Sequence, residues 1–273
     1  MALGHYGVFQ NTIFGIDNMH NKNIVCNEMD FDGLGTLKTI STAIKFNNWM
    51  YQTIKPFLKG NVLEIGSGIG NITQYVVNDK HQTTASDFRT EYCTILSNRF
   101  AGNVFLQEVK NIDIIHPDFE KINCNLLNKF DSLFALNIIE HVENDVLAIE
   151  NCKKLLKENG NLIILAPAYM AVYNSFDTAL KHYRRYSKSN LQYLLQNAGF
   201  TIIKSQYFNL CGIIGWWFSG SLLRKKSIPM LEMKIFDLMV PIFKIADKLV
   251  MNKVGLSVIA IGKKTNFQIF KKR

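Results

Sequence analysis

Paired cysteines, clustered histidines, a membrane-length apolar run and internal repeats are all missing from this 273-residue chain. Its five cysteines, Cys26, Cys93, Cys124, Cys152 and Cys211, are odd in number, scattered, and never form a Cys-x-x-Cys pair. That usage excludes a disulfide framework and a cysteine-rich zinc site, and fits a reducing compartment. The six histidines are equally dispersed, so no metal-ligand spacing stands out and no metal is expected. The most apolar run, Leu210 to Leu223, is interrupted by Gly212, Gly215, Ser219, Gly220 and Ser221. It falls short of the roughly 20 residues that a membrane span needs. No basic segment opens the N-terminal region, and Gln10, Asn11 and Asp17 break its apolar stretches, so no targeting segment is expected.

What the chain does contain is a core. Hydrophobic residues make up 48% and charged residues 19%, which suits one large domain, or one domain with a substantial insertion. Basic residues outnumber acidic ones 31 to 22, for a net charge of +9 and a pI near 9.2. That balance favours an acidic partner: nucleic acid, an anionic membrane surface, an acidic carrier protein or a phosphorylated substrate. A cytoplasmic protein, at most peripheral at the membrane, is the expectation.

Residues 1–36 are Asn-rich at first, without a sustained period, and read as an N-terminal arm. From Leu37 to Leu58 apolar residues recur at helical spacing up to Pro56. Strand-like and helical segments then alternate: strands at 61–65, 82–86, 104–109, 132–136, 162–165 and 201–207, helices at 72–77, 91–100, 146–156 and 189–198. The 146–156 helix is expected to stop on Asn159-Gly160. Strands separated by helices imply an α/β, doubly wound parallel sheet. A long aromatic segment, 209–254, breaks the rhythm before a last strand at 256–261, as if a hairpin had received a helical insertion. Within it, 235–245 suits an amphipathic helix pair around Pro241, with Lys234, Lys244 and Lys248 on the polar side. Residues 255–273 form the final strand and a basic tail.

The chemistry concentrates first in Val62-Leu63-Glu64-Ile65-Gly66-Ser67-Gly68-Ile69-Gly70. An apolar strand running into glycines and a helix brings a ligand against bare backbone. Asn71 stands where a dinucleotide fingerprint needs its third glycine, and Glu64 would repel a pyrophosphate while tolerating a cationic sulfonium. Asp87, at the tip of the second strand, can accept hydrogen bonds from both hydroxyls of a ribose, or serve as a turn or cap residue.

On these residues the chain resembles class I S-adenosylmethionine-dependent methyltransferases across roughly residues 37–208. The resemblance implies a Rossmann-like seven-stranded sheet with a reversed final strand, and S-adenosylmethionine as cofactor. It places Glu64, Gly66, Ser67, Gly68, Gly70 and Phe88 at the cofactor, Asp87 at its ribose, and Ile112 and Asp113 near the adenine. Phe134-Ala135-Leu136-Asn137-Ile138-Ile139-Glu140-His141-Val142 matches the fourth-strand motif, with Asn137 near the methionine end. In this family the helix carrying Asn48, Trp49 and Tyr51 often lids the cofactor, although Trp49 also suits the core.

A second constellation follows the fifth strand: Ala166-Pro167-Ala168-Tyr169, Tyr173, Asp177 and His182-Tyr183-Arg184-Arg185-Tyr186. With Trp216-Trp217 it resembles a bacterial subset of these methyltransferases found with lipid, glycan and secondary-metabolite pathways. His182 suits a general base near neutral pH, and Arg184 and Arg185 suit a carboxylate or phosphate clamp. Alternatively these residues order the loop, with the arginines paired to Asp177 or Glu140. Glu140 and His141 either face the acceptor, with His141 a second candidate base, or cap the next helix or support the cofactor pocket. Tyr173, Arg184, Arg185, Tyr186, Trp216 and Trp217 are the candidate acceptor-binding residues.

The functional expectation is methyl transfer to oxygen or carbon of a small, carrier-tethered or lipid-tethered metabolite. Nucleic-acid methylation is disfavoured, because Asn137-Ile138-Ile139-Glu140 lacks the Asn/Asp-Pro-Pro-aromatic string of many base methyltransferases. From another class, Gly212–Lys226 has the aromatic-plus-basic makeup of a membrane-surface element, which a binding module with a vestigial cofactor site would use; a lid or a homodimer contact is the alternative.

Overall fold

The computed structural model describes residues 31–265. Two helices precede the sheet, α1 (Phe31–Ser41) and α2 (Ile44–Ile54), broken at Thr42 and Ala43 where one continuous helical stretch was expected. Of the arm assigned to 1–36, residues 1–30 lie outside the described part, and 31–36 already belong to α1. Helix α2 buries Asn47, Met50, Tyr51 and Ile54, the spacing of one helical face, and ends in a 3-10 turn that contains Pro56.

The alternating part runs β1 (Val62–Ile65), α3 (Thr73–Asn78), β2 (Thr83–Asp87), α4 (Thr90–Arg99), β3 (Leu106–Asn111), α5 (Phe119–Ile122), β4 (Phe130–Leu136) and α6 (Asp145–Leu155). It continues through β5 (Leu156–Pro167), α7 (Ser175–Ala179), α8 (Lys188–Asn197) and β6 (Phe200–Phe208). Then α9 (Leu210–Trp216), a π-helical turn (Trp217–Leu222) and α10 (Met230–Leu249) intervene before β7 (Ser257–Lys264). The seven strands form one sheet in the order β3-β2-β1-β4-β5-β7-β6. Strands β1 to β5 pair in parallel, and β7 is antiparallel to both of its neighbours. The expected doubly wound sheet, reversed last strand and helical insertion are all present.

Period-two side-chain alternation explains why both faces are covered. Leu63, Ile65, Leu133, Ala135, Leu162 and Ile164 point to one core, shared with residues of α5, α6 and α8. Val62, Phe134, Ile163 and Leu165 point to the other, with Trp49, Tyr51 and Ile54 of α2 and Val240 of α10. The insertion is therefore part of one face of the domain.

Two local expectations are corrected. Helix α6 stops at Leu155, and Asn159 takes its left-handed conformation (φ 63°) inside β5, where the pairing slips between Phe130 and Ser132. Asn159-Gly160 thus makes a strand irregularity rather than a helix stop. Helix α10 runs unbroken through Pro241, which lies on its exposed side while Met233, Val240 and Asp247 keep the inner face packed. Inner-face packing outweighs the proline penalty of roughly 3 kcal/mol.

Candidate active site

The glycine turn leaves the carboxyl end of β1 with Gly66 at φ 73° and Gly70 at φ 85°, both left-handed. A Cβ on Gly66 would stand 2.0 Å from Cδ1 of Ile138, and one on Gly70 would stand 2.5 Å from the Phe100 ring. Only glycine permits this close passage. Ser67 pins the turn to β2: its N–H donates to the Ser86 carbonyl at 2.8 Å, and its Oγ accepts from the Ser86 N–H at 3.1 Å.

Asp87 ends β2 beside that turn and is buried. Its Oδ2 accepts from the Gly68 N–H at 2.9 Å and its Oδ1 from the Arg89 N–H at 3.0 Å. Burial raises its pKa, and those two N–H donors oppose the rise. Glu64 lies within β1 and accepts from the Thr73 hydroxyl; burial pushes its carboxyl up to about 7. Ile112 is buried and its N–H donates to the Asp87 carbonyl at 3.1 Å. Phe88 and Asp113 are exposed beside it, with Asn111 Nδ2 bonding the Phe88 carbonyl at 2.8 Å. Asn137 holds a left-handed φ of 55° just past β4, a conformation asparagine tolerates. Helix α1 adds a neighbour that spacing did not reveal: the Leu37 side chain lies over Gly68, and its carbonyl accepts from Asn71 Nδ2 at 3.0 Å.

The loop after β5 is organised by Asp177. Its Oδ1 accepts from Arg185 Nε at 2.8 Å and pairs with His182 Nδ1 at 2.7 Å. Its Oδ2 accepts from Arg185 (3.0 Å), the Asn174 N–H (3.0 Å) and Trp216 Nε1 (3.2 Å). Although burial works against it, the bonds from His182 and Arg185 hold Asp177 below the usual carboxylate range. An ionised Asp177 with one oxygen on Nδ1 fixes the His182 ring and leaves Nε2 for chemistry.

Glu140 sits on the 3-10 turn after β4, fully buried, with neither carboxylate oxygen hydrogen-bonded to protein. Burial pushes its carboxyl up to about 8, against the pull of Arg185. The His141 and His182 rings meet edge to face at 4.6 Å, and donor atoms of Glu140, His141 and His182 lie within 4.8 Å of one another. The three candidate catalytic residues are thereby brought together.

The candidate acceptor residues separate. Arg185 is buried, spent on Asp177 and the Ala168 carbonyl (2.9 Å), and stacks on Trp216 at 5.0 Å. Tyr186 is buried with its hydroxyl on Asp145 at 2.8 Å. Arg184 pairs with Asp145 at 3.0 Å and donates to the Glu143 carbonyl at 2.6 Å. Tyr173 donates to the His182 carbonyl at 2.9 Å, while Trp217 is half exposed. These contacts match the loop-ordering alternative for Arg185. Asp177 entered the sequence reading as a member of this constellation and a partner for the arginines; its convergence with His182 and Trp216 is a product of the fold.

Residues 63–162 match the family model described as a methyltransferase domain. A ubiquinone biosynthesis O-methyltransferase of Glaesserella parasuis is 29% identical over 126 residues, 44% of this chain and 52% of that enzyme. A non-reducing polyketide synthase of Aspergillus novofumigatus is 29% identical over 112 residues, 38% of this chain and 5% of the synthase. This chain spans about half the length of the former and about a twentieth of the latter. Phosphoethanolamine N-methyltransferase 2 of Haemonchus contortus, in complex with phosphomonomethylethanolamine and S-adenosylhomocysteine, superposes with a TM-score of 0.58 at 15% identity, covering 87% of this chain and 59% of that one. An S-adenosylmethionine-dependent methyltransferase from Archaeoglobus fulgidus does so with a TM-score of 0.53 at 17% identity, covering 80% and 94%. Sheet order and matched segment together give the class of fold: the chain shares the architecture of these structures, and its residues 63–162 match a methyltransferase domain.

Proposed function

We propose that this protein transfers a methyl group from S-adenosylmethionine to an oxygen or carbon of a small, carrier-tethered or lipid-tethered metabolite. The observation that carries the reading is the Asp177-anchored His182 beside buried Glu140, at the same carboxyl edge of the sheet as the glycine turn. The domain of residues 37–208 would supply both halves of the site, with the 209–254 insertion bonded to its acceptor loop.

The residues fit the cofactor. Gly66 and Gly70 carry left-handed backbone tight against Ile138 and Phe100, which gives the turn its shape, and Asp87 offers a buried carboxylate for ribose hydroxyls in place of the Gly68 N–H. Phe88, Ile112 and Asp113 would flank the adenine, Glu64 and Ser67 would hold the turn in shape, and Asn137 would border the methionine end. Bound there, the sulfonium supplies an electrophilic methyl group.

The chain's own contribution is alignment and proton handling. His182 Nε2 would take the acceptor's proton, and Asp177, kept ionised by Arg185, would stabilise the imidazolium so formed. Glu140 and His141 would line the acceptor's path, with Tyr173, Arg184 and Trp216 bordering it. The named relatives methylate or build different molecules, so oxygen and carbon acceptors both stay within the proposal. A carrier of acidic character and an anionic membrane surface each fit the +9 charge, while a homodimer contact would use the aromatic insertion instead. A cytoplasmic setting goes with the unpaired thiols of Cys93, Cys124, Cys152 and Cys211.

Calorimetric titration with S-adenosylmethionine and S-adenosylhomocysteine tests the reading. Micromolar binding that is lost or much weakened in Asp87→Ala is expected; well-folded protein that binds neither ligand would overturn it.

A further inference from the structure

We propose that the outer face of α10, with the π-helical turn before it, docks on an anionic lipid bilayer, so that the methyl acceptor is a molecule resident in that bilayer. The acceptor clause rests on the methyltransferase reading; the docking does not.

Leu231, Ile235, Leu238, Ile242, Ile245 and Leu249 follow one another at steps of four and three along α10. They form one stripe, and each is exposed by 56% or more. The inner face is satisfied separately, with Met233, Val240 and Asp247 buried at a spacing of seven. An ordinary surface helix has one apolar stripe and one polar face. This helix has two apolar stripes, and the described residues cover only one of them.

The charges choose the occupant. Every acidic residue of α10 is engaged within the protein. Asp237 accepts from the Phe46 N–H at 2.7 Å, Asp247 accepts from the Asn209 and Leu210 N–H groups at 2.7 Å each, and Glu232 pairs with Lys225. Lys234 and Lys248 are exposed, and Lys244 is half exposed. The outward charge of α10 is therefore positive only. A second copy laid on this stripe would bring lysine against lysine with no acid to neutralise either. An anionic headgroup layer supplies the missing countercharge while taking up the leucine and isoleucine side chains.

The preceding turn continues the pattern with half-exposed Trp217, Phe218 and Leu222, followed by exposed Arg224 and Lys226. It is tied to α10 through Ser219 and Lys225, both bonded to Glu232. Among the described residues no helix is long and apolar enough to cross a membrane, so the contact is one of docking. The same segment braces the acceptor loop. Asn174 Nδ2 donates to the Trp216 carbonyl at 3.1 Å, and Ser175 Oγ bonds the Gly220 and Lys225 carbonyls at 2.7 and 2.6 Å. A bilayer held against the turn would lie next to the chain segment that positions Asp177 and His182.

The test is flotation of the full-length protein, without cofactor, with vesicles of phosphatidylcholine alone or mixed with phosphatidylglycerol. The wild type should float with the mixed vesicles, much less with phosphatidylcholine, and less at high salt. Leu238→Glu/Ile242→Glu should weaken association by about tenfold or more, and Lys234→Glu/Lys248→Glu should abolish the preference for anionic lipid. Both variants should keep the wild-type thermal midpoint and cofactor affinity, since none of the four positions touches the cofactor site. Absence of flotation by the wild type, or equal flotation by the Leu238/Ile242 variant, would overturn the proposal. So would a wild-type dimer in analytical ultracentrifugation that this variant dissociates, because the stripe would then belong to a second copy. Loss of flotation with cofactor binding intact leaves the methyltransferase reading standing; the converse leaves the docking standing.

Discussion

The indole Nε1–H of Trp216 donates to Oδ2 of Asp177 at 3.2 Å, while the other oxygen of that carboxylate holds His182 at 2.7 Å. One side chain thus links the insertion before the last strand to the His182 imidazole. Asp177→Asn replaces an acceptor-only group with an amide that can present N–H to Nδ1, which favours the wrong tautomer. Turnover should fall by about 100-fold or more with cofactor affinity unchanged. Trp216→Phe removes one hydrogen bond of about 1 kcal/mol and should lower turnover by a smaller factor. Single-turnover rates and calorimetry on the two variants check this; full turnover by Asp177→Asn would remove Asp177 from the mechanism.

Glu140 makes stability fall as pH rises. Its carboxyl goes from about 4.5 when unfolded to about 8 when buried, so between those values the unfolded chain has released a proton that the folded one keeps. Fewer protons on the unfolded state means stability declines with pH across that window and levels off above it. Glu140→Gln removes the ionisation. It should raise the thermal midpoint at pH 8 relative to wild type, by an amount on the order of a few kcal/mol in stability, and change little at pH 5. Denaturation curves at both pH values check it, and equal midpoints at pH 8 would show that Glu140 ionises freely in the folded protein.

The cofactor half of the site was legible because it is local. Gly66 to Gly70 form one turn between one strand and one helix, and Asp87 follows at the tip of the next strand, so chain order already contains the geometry. The cluster around His182 was legible as a set of residues but not in its wiring. His182, Arg185 and Trp216 reach Asp177 from five, eight and 39 positions away, and no periodic pattern encodes such convergence. Leu37 over Gly68 was hidden for the same reason. Asn159 shows the opposite case: the residue type correctly signalled a left-handed backbone, but strand pairing decided what that conformation was used for. Pro241 read as a break because propensity was weighed without the core that Val240 enters.

Gly66→Ala should cost the fold and the cofactor together. The added methyl meets Ile138 and must also be carried at φ 73°. The conformational part is worth about 1 kcal/mol or more, and the contact adds to it. Ile138→Val takes away the Cδ1 that the new methyl strikes, so the double variant should recover part of the lost thermal midpoint but not the backbone part. Additive losses in that cycle would mean the turn moves away from Ile138 rather than pressing on it.

Glu140, His141 and His182 offer donors within 4.8 Å of one another, and Asp177 holds His182 in the way that carboxylates hold metal-bound histidines. A proton relay and a bound divalent ion therefore compete for the same three side chains. Two features favour the relay: the Glu140 carboxyl is held largely neutral at pH 7 by burial, and the Arg185 guanidinium already acts on it as a positive charge. In a relay the residues have unequal weight. His182→Ala should cost about 100- to 10,000-fold in turnover, His141→Ala should cost far less, and a chelator should leave the wild type unchanged. An ion would make the two losses similar, render turnover chelator-sensitive, and let added zinc or manganese restore it. Turnover of wild type and the two alanine variants with and without chelator separates the cases, and a fully active His182→Ala would remove His182 from the proton transfer.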